Sequence, residues 1–466
     1  MDETSLRAQL ELAVADEPPL GHLVGNSVRA GRRIRRRRRA AGAASLSAAA
    51  IVVVSLVPAL TSSAGHQASR RSHPAAAEHP APARTVYAAV GSNTVVPISL
   101  ATNVPGTPIK VPAGGGGGGL DVTSAVAAPN GRAIYETGTG KDGGAVVTAI
   151  DTATDTAGPT ITLPRLVAHV AGKRMLVDAQ PTNIAVAPNG KTVYVAAEED
   201  VFPINTVTNT AGKPIRIPTR SWAMAFTPNG KTLYVLNPWE RSVTPIRTAT
   251  NTALAPIKLA VPKTGSGYLF DIAITPNGKT AYVLYGVQGG RPYANWVIPI
   301  NLATNTALGP IAIETPGLAS GLVIAHGGRI AYLLSTRAVT PIDTATNQAE
   351  PPISLPTDAG NAYSIALAPN GKMMYALSPR GVVPIRTASR TVLPMITVPK
   401  IEPVTELAIT PDGKTIYVGA FARRLPAQHG ITLSSGGGVV PISTATDTAG
   451  RFINLGAPPN AFTFGG

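Results

Sequence analysis

The 466-residue sequence predicts an all-β fold built from a repeated four-stranded sheet. Its 47 glycines and 43 prolines, together with an ample supply of Val, Ile and Thr, favour short strands joined by tight turns. Charged residues make up only 14% of the chain, which disfavours coiled coils and helical solenoids. An internal repeat, which begins after residue 84, defines the unit of the fold.

The first repeat element is a Pro-Asn-Gly turn followed by a tyrosine four residues after the glycine. Residues 228–230 with Tyr234 are a typical example. Because Asn-Gly pairs tolerate positive φ and reverse the chain between two strands, this element predicts a strand a, a turn and a strand b. Eight of the twelve tyrosines occupy this position: Tyr87, Tyr135, Tyr194, Tyr234, Tyr282, Tyr332, Tyr375 and Tyr417.

The second element reads Val-x-Pro-Ile and then Ala-Thr-Asn, as in residues 243–251, and a short apolar run closes the unit. It predicts a strand c, a turn and a strand d. A proline has no N–H to donate to a ladder, so strand c should have an open side or a bulge there. The weakest unit is Ala125–Leu163, in which Ala149 replaces this proline.

Units of roughly 40–60 residues, each a four-stranded antiparallel sheet, match the blades of a β-propeller. The first unit begins at strand b, with Thr85, and the final residues 459–464 read as a strand a with no strand b after it. Pairing these two ends would close a ring of eight blades. Seven blades is the alternative if one irregular unit is not a true blade.

Over residues 85–466 the repeats resemble the YVTN-family β-propeller repeat proteins. Tyr-Val pairs begin at Tyr194, Tyr234, Tyr282 and Tyr417; the closest approach to the family's tetrapeptide is Tyr-Val-Leu-Asn at 234–237. The literal tetrapeptide is absent. Pro-Ile-Asp-Thr-Ala-Thr-Asn at 341–347 also matches. The resemblance implies a surface-exposed or secreted propeller without shared catalytic residues, so it implies a fold and a location rather than a reaction.

The residues before the propeller predict a membrane anchor. Eight arginines between Arg29 and Arg39 precede the uncharged stretch Ala40–Leu60, whose 21 residues match the length of a bilayer-spanning helix. Arg-rich flanks stay on the cytoplasmic side, so the propeller is expected to be extracytoplasmic. The predicted segments are a cytoplasmic basic segment (1–39), a transmembrane signal anchor (40–61), an Ala/Pro-rich stalk (62–84) and the propeller (85–466). A cleaved signal peptide, giving a secreted protein, is the alternative.

Charge and residue types exclude several classes of function. Of the net charge of +15, +9 is spread over residues 85–466, a mild excess without a basic stripe, so no nucleic-acid partner is expected. The chain has no cysteine, which excludes disulfides, thiolate catalysis and iron–sulfur clusters. The seven histidines show no paired metal-ligand spacing. We therefore expect no catalytic residue, no metal and no cofactor.

The order of strands predicts two different faces. The repetitive a–b and c–d turns should lie at one edge of every blade, and the irregular b–c and d–a connections at the opposite edge. Binding residues concentrate on such loops, and aromatic and arginine side chains are typical of them. The candidates are Trp239, Arg241, Tyr268, Phe270, Tyr285, Arg291, Tyr293, Trp296 and Tyr363. Each could instead only pack its own loop.

The sequence thus predicts a membrane-tethered propeller that acts as a binding or scaffold module. Its expected partner is an unknown protein or glycan on the extracytoplasmic side, with one helix in the membrane. The alternative is a propeller enzyme, either a lactonase-like hydrolase or an oxidoreductase, with its site at the mouth of the channel; this alternative depends on fold analogy alone.

Overall fold

Eight antiparallel sheets carry the eightfold repeat. A computed structural model describes residues 84–91, 93–111, 125–140, 144–164, 166–170, 173–177, 181–262, 267–287, 294–315, 317–398, 404–421 and 436–465. The predicted cytoplasmic segment, the predicted transmembrane helix and the predicted stalk up to residue 83 lie outside these ranges. Within them, no helix is long and apolar enough to cross a membrane, and the one helix is a 3-10 turn at Thr357–Ala359.

Each sheet has the order a-b-c-d. In blades 1 to 8, strand a is Pro459–Gly465, Ala125–Ala127, Pro181–Val186, Met224–Phe226, Gly267–Ile274, Ala319–Ile324, Ser364–Leu367 and Val404–Ile409. In the same order, strand b is Thr85–Val90, Ala133–Thr139, Thr192–Ala197, Thr232–Asn237, Thr280–Val287, Ile330–Ser335, Met373–Ser378 and Thr415–Phe421.

Strands c and d form the outer half of each blade. Strand c is Thr94–Ser99, Ala145–Asp151, Asp200–Asn205, Ser242–Arg247, Asn295–Asn301, Ala338–Asp343, Gly381–Arg386 and Gly437–Ser443. Strand d is one piece in blades 1, 2 and 7: Ile109–Lys110, Thr156–Thr162 and Ile396–Thr397. It is two pieces in blades 3, 4, 5, 6 and 8: Thr210–Ala211 with Ile215–Arg216, Thr252–Ala253 with Ile257–Lys258, Thr306–Ala307 with Ile311–Ile313, Gln348–Ala349 with Ile353–Ser354, and Thr448–Ala449 with Ile453–Asn454. A separate hairpin pairs Leu166–Val170 with Lys173–Val177.

The two ends of the propeller pair with each other, as the sequence predicts. Pro459–Gly465 runs antiparallel to Thr85–Val90, with Thr85 opposite Gly465. Every strand a contacts the strands a of both neighbouring blades, so the eight inner strands form a closed ring. The fold is therefore an eight-bladed β-propeller, and the weakest unit, Ala125–Leu163, is a full blade.

The proline of strand c explains the broken outer strand. In blade 3, Ile204 pairs with Ala211 and Val201 with Ile215, so strand d is interrupted opposite Pro203. The carbonyl of Pro203 accepts a hydrogen bond from the N–H of Gly212, 2.7 Å away, which shows that the side lacking a donor faces outward. In blades 1 and 7 the first piece of strand d is reduced to a single bridge, Ile98 with Pro105 and Ile385 with Val392. In blade 2, where Ala149 replaces the proline, strand d is one strand with a register shift opposite Ala149. The predicted open side is confirmed.

The hydrophobic core lies between the blades. Eight clusters of buried residues each combine side chains of two adjacent blades, one cluster for every junction of the ring. The cluster between blades 8 and 1, for example, contains Tyr417 and Val439 together with Val86 and Ile98. Each blade therefore buries both of its sheet faces against neighbours.

At five of the eight junctions between the described blades, the repeat tyrosine bonds to the repeat Asn or Asp of the following blade. The hydroxyl of Tyr194 donates to Oδ1 of Asn251 at 2.6 Å, and that of Tyr234 donates to Oδ1 of Asn305 at 2.7 Å. Tyr87 with Asp155, Tyr282 with Asn347 and Tyr417 with Asn103 are equivalent, at 2.5–2.6 Å. In all eight c–d turns the residue at this position has a positive φ of 50–57°. Asn and Asp tolerate that conformation better than other residues with a Cβ, which explains the Ala-Thr-Asn motif.

The two kinds of turn are also tied to each other. In blade 4, Oγ1 of Thr248, after strand c, donates to the carbonyl of Gly230 in the a–b turn at 2.7 Å. Gly230 has φ +67°, and a Cβ there would lie 3.2 Å from Cδ of Pro188 in the preceding blade. The backbone angle therefore favours glycine, and a Cβ there would also be in tight contact with Pro188 of the preceding blade.

We predict that Tyr234→Phe lowers the free energy of unfolding by about 1 kcal/mol, because it leaves Oδ1 of Asn305 without the hydroxyl donor. Tyr332→Phe is the matched control, because Arg390 replaces the asparagine in the following blade. It should change stability less. Urea unfolding of both variants measures the difference, and equal losses would contradict the role assigned to this bond.

Candidate functional site

The strand ends define two faces. We call the edge that carries the a–b and c–d turns the turn face, and the edge that carries the b–c and d–a connections the variable face. Short, uniform turns follow strands a and c, whereas connections such as Gly360–Tyr363, beside the 3-10 turn, differ from blade to blade. The candidate binding residues must therefore be located relative to these two edges.

Three aromatic rings from two blades form a cluster on the variable face. Trp222 precedes strand a of blade 4, Trp239 lies in the b–c turn of blade 4, and Tyr268 is the second residue of strand a of blade 5. The ring centroid of Trp239 lies 5.7 Å from that of Trp222 and 5.6 Å from that of Tyr268; both pairs are T-shaped. Trp222 and Tyr268 are 6.3 Å apart. Trp239 remains 57% exposed, so the cluster presents an apolar surface to solvent.

Buried polar contacts hold this cluster in place. Nδ2 of Asn237, fully buried, donates to Oγ1 of Thr244 at 2.7 Å and so braces the turn that carries Trp239. Nδ2 of Asn183 in blade 3 donates to the carbonyl of Trp222 at 3.4 Å. A Cβ at Gly267 would lie 2.3 Å from the phenol of Tyr285, so that ring packs directly on the backbone next to Tyr268. The rings are positioned by structure beneath them.

Charges of both signs surround the cluster. Nζ of Lys258 lies 3.0 Å from Oε2 of Glu240, and the guanidinium of Arg220 lies 3.7 Å from Oε1 of Glu198. Arg241 is exposed and has a positive φ of 47°, which turns the chain back into strand c after Trp239. The rim is thus polar and close to balanced in charge.

The other sequence candidates are dispersed. Tyr285 is fully buried between blades 4 and 5, where it packs 5.7 Å from the ring of the partly buried Trp296. Phe270 is partly buried against the core between blades 5 and 6. The hydroxyl of Tyr363 donates to the carbonyl of Val404 in the next blade at 2.6 Å. These residues support the variable face from within, and Arg291 and Tyr293 lie outside the described residues.

Sequence reasoning missed two carboxyl groups on the inner strands. Asp271 of blade 5 and Glu406 of blade 8 lie at the same repeat position, five residues before the proline of the a–b turn. Asp271 accepts hydrogen bonds from the N–H of Ile272 at 2.8 Å and from that of Leu322, in the next blade, at 3.2 Å. Desolvation raises the pKa of Asp271 to about 6 and that of Glu406 to about 7. Tyr363 lies near Glu406, which adds to the rise in the pKa of Tyr363 caused by burial.

Alignment of the eight units could have found these acids. Other blades have Ala223, Gly321 or Ser364 at this position, so Asp271 and Glu406 depart from the repeat. Inner strands line the centre of a propeller, and a carboxyl there is a candidate for proton transfer. In the part of the chain that the structure describes, no three His, Asp or Glu side chains come together as a metal site.

Glu136 is a second departure from the repeat. It follows the repeat tyrosine, where blades 3, 4, 5 and 8 have valine, and it is only 3% exposed. Among the described residues, none donates a hydrogen bond to either of its carboxylate oxygens. Desolvation raises its pKa to about 8. This carboxyl is therefore protonated at neutral pH and lies between blades 1 and 2, on the side of Ile134 and Ile150.

Comparisons with known proteins support the fold. No protein-family model and no curated protein matches the chain. Among solved structures, dihydro-heme d1 dehydrogenase NirN in complex with DHE is 14% identical, with a TM-score of 0.60 over 82% of this chain and 76% of that one. Kuenenia stuttgartiensis hydrazine synthase is 18% identical, with a TM-score of 0.47 over 69% of this chain and 95% of that one. The likeness to NirN shows the propeller fold and nothing finer.

We predict that Glu136 lowers stability as pH rises. The unfolded carboxyl releases its proton near pH 4.5 and the folded one only near pH 8, so unfolding releases a proton between these values. Stability should fall across that window by on the order of 4–5 kcal/mol because of this one group. Glu136→Gln should remove this contribution to the slope, and Glu136→Val should stabilise the protein most at pH 8. Denaturant unfolding from pH 4 to pH 9 tests this; identical pH slopes for wild type and Glu136→Gln would contradict it.

Proposed function

We propose that the protein is a membrane-tethered, extracytoplasmic β-propeller that binds a protein or glycan partner through its variable face. The observation that carries the proposal is the cluster of Trp222, Trp239 and Tyr268 on that face. An exposed tryptophan held by rigid neighbours and surrounded by polar groups is the usual anatomy of a binding hot spot. Such an anchor loses little conformational entropy when a partner covers it.

The tether in this proposal is supported by the sequence. The arginine-rich segment and the uncharged stretch at 40–60 are typical of a signal anchor, and this pattern favours a propeller outside the cytoplasm. The resemblance of the repeats to YVTN-family proteins supports the same location. The cluster and the anchor are independent of each other, so a test of one leaves the other standing.

The alternative function is an enzyme that works inside the ring. Asp271 and Glu406 favour it, because carboxyl groups with raised pKa values on inner strands suit acid–base catalysis. NirN is named as a dehydrogenase, so a propeller of this kind can belong to an enzyme. The likeness is one of fold, and it names no residue of this chain.

We predict that a photo-cross-linking residue in place of Trp239 captures one discrete partner in the producing cell. The same residue at Val207, 84% exposed on the turn face, is the matched control and should capture none of it. Once the partner is known, Trp239→Ala should weaken its Kd about 30-fold, the cost of truncating a typical hot-spot residue. Mass spectrometry and surface plasmon resonance provide the two readouts.

Capture of the same partner from both positions would contradict binding through the variable face. The enzyme is favoured instead if purified protein hydrolyses an ester or lactone, or carries a redox group that turns over. In that case Asp271→Asn and Glu406→Gln should abolish turnover, whereas Trp239→Ala should leave it unchanged.

A further inference from the structure

A basic side chain occupies the same position in every blade. It lies three residues before the repeat tyrosine, directly after the a–b turn, and all eight of these residues are exposed: Arg84, Arg132, Lys191, Lys231, Lys279, Arg329, Lys372 and Lys414. Blade 1 takes its strand a from the C-terminal end of the chain, yet it too has a basic residue, Arg84, at this position. The N–H of its Arg84 donates to the carbonyl of Gly465 at 3.1 Å. Eight cations therefore stand on one face, although the linear sequence shows no basic stripe.

The propeller geometry arranges these cations as a ring. Seven a–b turns each join the two innermost strands of a blade, and in blade 1 the paired strand ends at Arg84 and Gly465 take the place of the turn, so the eight cations surround the centre of the turn face. The acid among these turns is Asp412, whose Oδ2 lies 3.8 Å from Nζ of Lys414. None of the other ion pairs among the described residues involves Lys191, Lys231, Lys279 or Lys372.

The remaining charges of the turn face lie farther out, in or beside the c–d turns. The acids there are Asp151, Asp155, Asp343, Glu350 and Asp447, and the further cations are Arg247, Arg386 and Arg390. Several of these groups already have partners. Asp155 accepts from Tyr87, Asp343 accepts from the N–H groups of Ala345 and Thr346, and Arg390 pairs with Glu350. Cations outnumber acids on the whole face, and the excess is concentrated at its centre.

The chain enters the propeller on this same face. Strand b of blade 1 begins at Thr85, and the beginning of every strand b lies on the turn face. The chain therefore passes from residues 62–83 into the propeller at Arg84, which belongs to the ring of cations. The stretch predicted to anchor the protein lies before that connection. An anchor before that connection would attach the propeller to the membrane from its turn face.

We propose that the turn face docks on an anionic lipid surface through this ring of eight cations. A planar ring suits a planar anionic surface, because all eight side chains can contact it together, whereas a linear polyanion can follow only part of the ring. Basic residues near an anionic membrane contribute additively to binding. The ring is independent of the partner site on the variable face, and only the argument from the entry point depends on the proposed anchor.

The test uses the full-length protein and lysine footprinting. Acetylation of each lysine is measured by mass spectrometry with vesicles of phosphatidylcholine alone and with vesicles that contain one third phosphatidylglycerol. We expect anionic vesicles to protect Lys191, Lys231, Lys279 and Lys372 several-fold, and high salt to reverse this. Lys110 and Lys258, near the variable face, should react equally with both vesicles. An anchor alone would give the same footprint in both lipids.

A matched pair of triple variants separates the ring from overall charge. Lys191→Glu, Lys231→Glu and Lys279→Glu together should reduce the preference of the protein for anionic over neutral vesicles about 100-fold. Lys110→Glu, Arg337→Glu and Arg380→Glu make the same change in net charge near the variable face and should have little effect. Equal losses in both variants, or unprotected ring lysines, would overturn the proposal. So would stronger protection by heparin or a DNA oligonucleotide than by vesicles, which would identify a linear polyanion as the ligand.

Discussion

The hydrogen bond from a tyrosine hydroxyl to an Asn or Asp of the next blade is the interaction on which the structure depends. It joins the two motifs of the repeat, which are separated within a unit but lie together across a junction between blades. The acceptor must have both a side-chain oxygen and a left-handed backbone, and asparagine combines these best. In a chain without cysteine, such bonds and the hydrophobic clusters between blades hold the ring together.

This junction explains why the two faces differ. The tyrosine, its acceptor, the threonine that ties the turns together and the glycine of the a–b turn all act on the turn face, so substitutions there disturb contacts between blades. The b–c and d–a connections are held to neighbouring blades by contacts that differ from blade to blade, such as those of Asn183 with Trp222 and of Tyr363 with Val404, so their sequences can vary. The uniform turn face and the irregular variable face are therefore two consequences of one constraint.

Much of the fold could be predicted from the sequence, because the length and limits of a repeated unit can be read directly from it. The four strands, the eight blades, the closure by residues 459–464 and the open side of strand c all follow from turn chemistry and from proline. The bonds between blades could not be predicted in this way. Spacing along the chain shows which residues are equivalent, but it does not show that Tyr234 meets Asn305 rather than Asn251.

The candidate site was harder to predict for a related reason. Tyr285 and Trp239 are candidates for the same reason, as aromatic residues near the irregular connections. In the structure Tyr285 is buried against Gly267, whereas Trp239 is 57% exposed. Asp271, Glu406 and Glu136 have chemical interest only because neighbouring blades desolvate them, and no local pattern records that. The basic ring is not visible as a local pattern in the sequence, because its members are some forty or more residues apart and come together only when the propeller closes.

A double-mutant cycle on Tyr417 and Asn103 tests the central claim most directly. This pair joins blade 8 to blade 1 across 314 residues of sequence, so no local structure can account for any coupling between them. If the bond holds the ring closed, Tyr417→Phe and Asn103→Ala should each destabilise the protein. The double variant should then lose about 1 kcal/mol less than the sum of the two. Strictly additive losses would show that the two side chains are neighbours without being partners, and would contradict this account of how the blades are joined.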